Sequence, residues 1–227
     1  MFENVRGAFL IGGLIFFLFS VAVMGYLPSE MASMIKVQTV EELAVNVLPE
    51  FQELAERYPV NFQKYYGEAN SVSYARALRK GRDVYIAEGC WHCHSQFVRP
   101  VSNESSRYGP VSLASEYQNE LNYPPLFGTR RVGPDLSRSA GRHTNDWHAA
   151  HFWDPAMVVP TSVMPRFPWF FDENKQPNDR GLAVITYVQW LGSWLPEYPY
   201  YRGEGPAGPT TEKQRAALKA AALEAAP

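Results

Sequence analysis

Residues 7–27 (GAFLIGGLIFFLFSVAVMGYL) carry no charged side chain, and nothing later in the chain repeats that pattern. At ~1.5 Å rise per residue, such a run crosses roughly the ~30 Å hydrocarbon core of a bilayer as one helix. Its length, the weak basic character before it (Arg6 offset by Glu3) and the lack of a small-x-small cleavage site favour a retained single-span anchor over a cleaved leader. Tyr26 suits an interfacial position. The pattern then turns polar. Over 39–57 (TVEELAVNVLPEFQELAER), Thr39 and Glu42 match a capping box, and Leu43, Val47, Leu48, Phe51 and Leu54 recur near helical spacing. Pro49 breaks or kinks that run. Two readings stand for this stretch: a docking element for a partner, or a spacer packed on its own domain.

A firmer helix is expected from Ser73 (SYARALRKGRDVYIAEGC), with Gly81 and Tyr85 on one face. Another is expected at 181–192 (GLAVITYVQWLG), capped by Asn178 or Asp179 and stopped by Gly192. Leu182, Ile185, Val188 and Leu191 form its apolar stripe. Between the two, 95–177 has few periodic segments and many turn formers, including Pro110, Pro124-Pro125, Gly128, Gly133-Pro134 and Gly141. So long an irregular wrap needs a ligand to organise it. From Gly203 a Gly/Pro linker leads into an Ala-rich tail of high helix propensity. The pattern divides the chain into an anchor (1–35), a polar helical spacer (36–72), a mainly α, loop-rich domain (73–202) and a tail (203–227).

A formal net charge of −2 gives no argument for a nucleic-acid partner. Aromatic residues at 14 % and 18 prolines, most of them in the second half, suit a loop-rich fold whose rings line something apolar.

The chemistry concentrates in Cys90-Trp91-His92-Cys93-His94, which contains both of the 2 cysteines. C-x-x-C-H is the attachment motif of a c-type haem. Two thiols about one helical turn apart reach the two vinyl groups of one porphyrin, and the histidine after them faces the iron. A zinc site would want a second Cys/His pair, and a thioredoxin-like motif a βαβ setting. A disulfide across three residues would leave His94 unexplained. His92 reads as a solvent-facing spacer.

For the second iron ligand the candidates are Met157, Met164, His143, His148 and His151. Met164 is favoured, because Pro165 beside it pre-positions a soft thioether at little ordering cost. Met157, in an apolar run, is expected to pack in the core. His148 and His151 are spaced for one helix face and fit a metal, a surface or a propionate-side role. Gly133-Pro134-Asp135-Leu136 reads generically as a tight turn, but it resembles the turn of class I cytochromes c in which a proline lies against the proximal histidine; the resemblance implies that Pro134 lies against His94, with the carbonyl preceding it accepting the imidazole N–H.

The helix with glycine and an aromatic four apart, and the closing helix with Tyr187, resemble the crossed terminal helices of class I cytochrome c domains. Further motifs narrow this: GCWHCHSQFVRP (89–100), Arg107-Tyr108-Gly109, GTRRVGPDL (128–136), Trp147-His148-x-x-His151 and VVPTSVMPRFPW (158–169). Together they resemble the mono-haem subunit II of cbb3-type cytochrome c oxidases over about 74–192 plus the anchor. Phe97 and Val101 depart from the family's usual pattern, and the 36–72 stretch and the tail are longer than usual. The resemblance implies one covalent haem c on Cys90 and Cys93, with iron ligands His94 and Met164 and with Pro134 supporting His94. Arg99, Arg130 and Arg131 become candidates for the haem propionates. It also implies an electron relay, without catalysis of its own, from a di-haem subunit or soluble cytochrome c to the haem–copper catalytic subunit I. Since c-type haem is attached outside the cytoplasm, the N-terminus would be cytoplasmic and the haem domain periplasmic at a bacterial inner membrane. The rival functions are the anchored cytochrome subunit of a nitric oxide reductase, and a haem enzyme or gas sensor with an open distal site.

Overall fold

The computed structural model describes residues 2–128 and 130–195, in two compact units, Met1–Val37 and Gln38–Pro227. The expected linker and tail over 203–227 lie outside the described residues. Helices dominate; among the described residues there is no strand, only isolated bridges at Gln38–Asn119 and Phe171–Pro177.

In the first unit, α1 (Phe2–Ser20) runs through a π-helical segment (Val21–Tyr26) into α2 (Leu27–Ser33). The widened turn has a local cause. Pro28, in the first turn of α2, lacks the N–H that would bond back along the helix, and a π turn absorbs the mismatch. Asn4–Ser33 is the one helix among the described residues long and apolar enough to cross a membrane. It extends past both ends of the charge-free run, because Arg6 and Glu30 are compatible with helix at its termini.

The second unit opens with α3 (Val40–Leu43), where Thr39 and Glu42 make the expected reciprocal capping box. Pro49 begins a new helix, α4 (Pro49–Arg57), at a position where its missing N–H costs nothing, and Pro59 does the same for α5 (Pro59–Tyr65). These helices pack into the same core as the rest of the unit. Phe51 lies 5.0 Å from Phe62 and 4.9 Å from Tyr74, ring centre to ring centre. Buried Asn61 donates to Asp172 (2.8 Å) and to the Pro177 carbonyl (3.0 Å).

Helix α6 (Ser71–Ala87) starts two residues before the expected Ser73, because Asn70 caps it through the amides of Val72 and Ser73. The short helix α7 (Cys90–Cys93), then α8 (Glu104–Tyr108), α9 (Asn145–Trp153) and α10 (Asp179–Trp190) follow. Asn178 is the cap of α10, and every residue from Gly181 to Trp190 is buried rather than the stripe alone. A helix enclosed on all sides carries no polar face to read.

Helices α6 and α10 cross at Gly81. A Cβ there would stand 2.5 Å from Tyr187 Cβ and 2.9 Å from the Ala183 carbonyl carbon. Tyr85 and Tyr187 close the crossing with ring centres 5.5 Å apart. This contact sets the floor on which α7 and its histidine rest.

Candidate haem centre

Gly89 turns the chain from α6 into α7 with φ +69°, a conformation a side chain resists. The turn places Cys90 half-buried against the core and Cys93 at the surface, both as free thiols, so no disulfide joins them. Burial, and then the charge of Glu88, push the Cys90 thiol up to about 12. His92 is exposed and stacks on Trp91 at 3.8 Å.

His94 closes α7, its N–H on the Cys90 carbonyl at 2.9 Å and its own carbonyl accepting from the Tyr85 hydroxyl at 2.7 Å. The ring is fixed from the other side. Nδ1 lies 2.9 Å from the carbonyl oxygen of Pro134 itself, not the preceding one expected from the sequence. The reason is the glycine. Gly133 lies flat on the ring, where a Cβ would come within 2.7 Å of both ring nitrogens, so the chain must pass the imidazole before it turns its carbonyl toward it. A carbonyl only accepts, so Nδ1 carries the proton and Nε2 presents a lone pair. Burial holds the His94 pKa below the usual imidazole range, with the Pro134 contact opposing it.

Helix α9 supplies a second wall. His143, Trp147 and His151 form a stack, 3.7 Å and 4.5 Å between ring centres, and His148 meets Trp147 edge-on at 5.2 Å. Burial, then the neighbouring histidines, push His148 down to about 3. His151 falls to about 4 through burial, His94 and His143. Met164 sits half-buried against the core, its N–H on Ser162 Oγ at 3.2 Å. Met157 departs from expectation: it is 67 % exposed, because the short turn Pro155–Met157 carries it outward.

The three arginines singled out in the sequence separate. Arg130 is exposed. Arg99 reaches Glu104, with Nε 2.8 Å from Oε1. Arg131 is spent on two carboxylates, Glu104 (2.7 Å) and Asp135 (2.7 Å). Arg142, which the sequence reading passed over, is different: its Nε and Nη2 are buried with no hydrogen-bond partner among the described residues. So are His148 Nε2 and His151 Nδ1. Burying such groups unpaired is costly, so their arrangement anticipates acceptors from outside the chain. The available signal for Arg142 was a second arginine four positions after Arg138 in a run of otherwise small residues, of which Ser137, Ser139 and Ala140 are buried.

Residues 32–192 match the family model described as cytochrome c oxidase, mono-heme subunit/FixO. The chain belongs to that family. No curated protein matches it. FixO membership agrees with the resemblance to subunit II of cbb3-type oxidases, and it implies one haem and association with a catalytic oxidase subunit in a membrane complex. The residues present fit such a group. Among the described residues no three His, Cys, Asp or Glu side chains converge as a metal site. Half-buried Cys90, Trp91, Leu136 and Met164 offer apolar contact, and the unpaired cation and imidazoles offer donors for carboxylates.

Proposed function

We propose that this chain is the membrane-anchored, mono-haem electron relay of a cbb3-type oxidase. The observation that carries the reading is the held imidazole of His94: Nδ1 on the Pro134 oxygen at 2.9 Å, the ring face against Gly133, and Nε2 left free. Cys90 and Cys93 attach the haem, and His94 and Met164 ligate its iron. Bound haem supplies a one-electron iron couple, and a His/Met pair suits electron transfer. The chain's own part is to hold the ligands, shield them and leave one face for exchange. Pro134 keeps the His94 ring in a single tautomer and makes it a better donor. Arg142 and His148 or His151 pair with the haem propionates, in preference to Arg130, which faces solvent, and to Arg99 and Arg131, which meet carboxylates of this chain.

Helix Asn4–Ser33 anchors the chain in the inner membrane with its N-terminus cytoplasmic and the haem domain periplasmic. Electrons arrive from a di-haem subunit or a soluble cytochrome c and leave toward the haem–copper catalytic subunit. The test is spectroscopic, on the full chain purified with its complex. A covalent c-type haem that resists acid–acetone extraction, a methionine-to-iron charge-transfer band and slow, partial CO binding are expected. Rapid, complete CO binding at neutral pH would refute the His/Met assignment, and loss of the haem on extraction would refute the covalent one.

A further inference from the structure

The loop that holds His94 is itself held by one side chain. Residues 131 and 135 bracket Gly133 and Pro134, and Arg131 ties both ends of that bracket to the segment after the CxxCH motif. Its Nη1 donates to Asp135 (2.7 Å), and its Nη2 donates to the Phe97 carbonyl (2.8 Å) and to Glu104 (2.7 Å). Nε adds a second bond to Glu104 at 3.2 Å. The guanidinium also lies over the Tyr108 ring at 4.9 Å. Asp135 accepts the Phe97 N–H (3.0 Å) and the Ser137 N–H (2.9 Å), and Glu104 accepts the Arg99 N–H (2.9 Å).

The network is enclosed. Arg131 is 9 %, Glu104 10 % and Asp135 1 % exposed at the side chain. A surface arginine facing a carboxylate contributes little and needs no explanation. A planar fork buried between two carboxylates and a carbonyl has a fixed geometry, and lysine, a point charge, cannot reproduce it. Among the described residues the network makes no hydrogen bond to the His94 ring, which feels only the charge of Asp135. What it reaches is the position of the Pro134 oxygen.

We infer that Arg131 is a positioning residue for the iron ligand: clamped by Glu104 and Asp135, it sets the length of the His94–Pro134 hydrogen bond and so the donor strength of His94. This rests on the proposed ligation of iron by His94. A firm N–H···O bond puts more negative charge on the ring and favours ferric iron. A Pro134 carbonyl free to drift makes the ring a poorer donor and favours ferrous iron.

Arg131→Lys and Glu104→Asp both keep the local charge while breaking the fork, so neither changes the potential through charge alone. In the intact complex, a redox titration of this haem should show the ferric/ferrous equilibrium moved toward ferrous in each variant, by about tenfold, taking as guide the low end of the effect that outer-shell partners have on metal affinity. The ferric haem's paramagnetic resonance should shift in both, and the double variant should shift no further than the singles, because all act on one contact. Arg107→Lys is the control, since Arg107 also lies over Tyr108 (4.8 Å) yet is exposed. It should leave both readouts in place. Variants that match this control would overturn the inference. Should Arg131→Lys not accumulate, Glu104→Asp decides alone. A wild-type haem lacking the methionine charge-transfer band and histidine-type resonance would instead remove the ligation reading and the inference with it.

Discussion

Gly81→Ala tests the crossing on which the candidate haem centre is built. On an isolated helix this change stabilises, because alanine is favoured over glycine by ~0.8–1.0 kcal/mol. At this crossing the added methyl would stand 2.5 Å from Tyr187 Cβ and 2.9 Å from the Ala183 carbonyl carbon, and nearer still to that carbonyl's oxygen. Ordinary carbon–oxygen contacts sit at roughly 3.3–3.6 Å, so the helices must separate by about 1 Å at that point. The atoms in the way belong to backbone and to a Cβ, which no rotamer change can move. Overpacking of a well-filled core costs about 1–3 kcal/mol, occasionally more, and an immovable neighbour places this site at the top of that range. Subtracting the propensity gain leaves a net loss of ~2 kcal/mol. In a unit of this size that lowers the melting temperature by roughly 4–8 °C. Thermal unfolding of the haem-loaded chain, followed by far-ultraviolet circular dichroism, measures it. The separation would also pull Tyr85 from the His94 carbonyl it meets at 2.7 Å, so the haem absorbance should broaden before the helices melt. An unchanged or raised melting temperature would show that α6 and α10 do not meet at Gly81.

Met164→Ala should abolish the methionine-to-iron charge-transfer absorption and open the iron to CO; an unchanged band would name another ligand, with His143, His148 and His151 the first to examine. Gly133→Ala places a methyl within 2.7 Å of both His94 ring nitrogens; on the proposed attachment and ligation, the haem should stay in place while its histidine is displaced, read as high-spin iron in the ferric spectrum. Asp146→Asn removes the negative charge of the carboxylate to which Arg57 (2.9 Å) and Tyr58 (3.0 Å) donate. The bond from Arg57 holds the Asp146 carboxyl below its ordinary value of 3.8, so its contribution is present above that value and disappears as pH falls through the lower folded-state value. Both side chains are more than half exposed, so water screens the pair and the difference at pH 7 is small. Urea melts of the variant and parent should differ at pH 7 and converge near pH 2; a gap that persists in acid would refute the ionic account.

The CxxCH motif was legible without coordinates. Cys90, Cys93 and His94 are adjacent in sequence, and adjacency fixes their mutual geometry through local helix rules alone. The same is true of the Thr39–Glu42 cap and of the charge-free anchor run, each set by a window of a few residues or by composition. The π turn before Pro28 was equally local, though the pattern of apolar residues does not display it.

What tertiary structure decided depends on residues far apart in the chain meeting. The proline turn was expected against His94, but which carbonyl faces Nδ1 follows from how closely Gly133 approaches the ring. Arg131 looked like a cation free for a ligand, and its two carboxylates, Glu104 and Asp135, only converge on it when the loops close. Arg142 looked ordinary, and only burial without a partner sets it apart. Met157 lies in the more apolar run, yet it projects outward while Met164 packs inward. Local sequence determined the apolar N-terminal helix, the other helices and the CxxCH spacing, because those obey short-range geometry. The support around His94 and the division of labour among the arginines belong to packing, because charge pairing and burial are properties of neighbours that the chain order does not list.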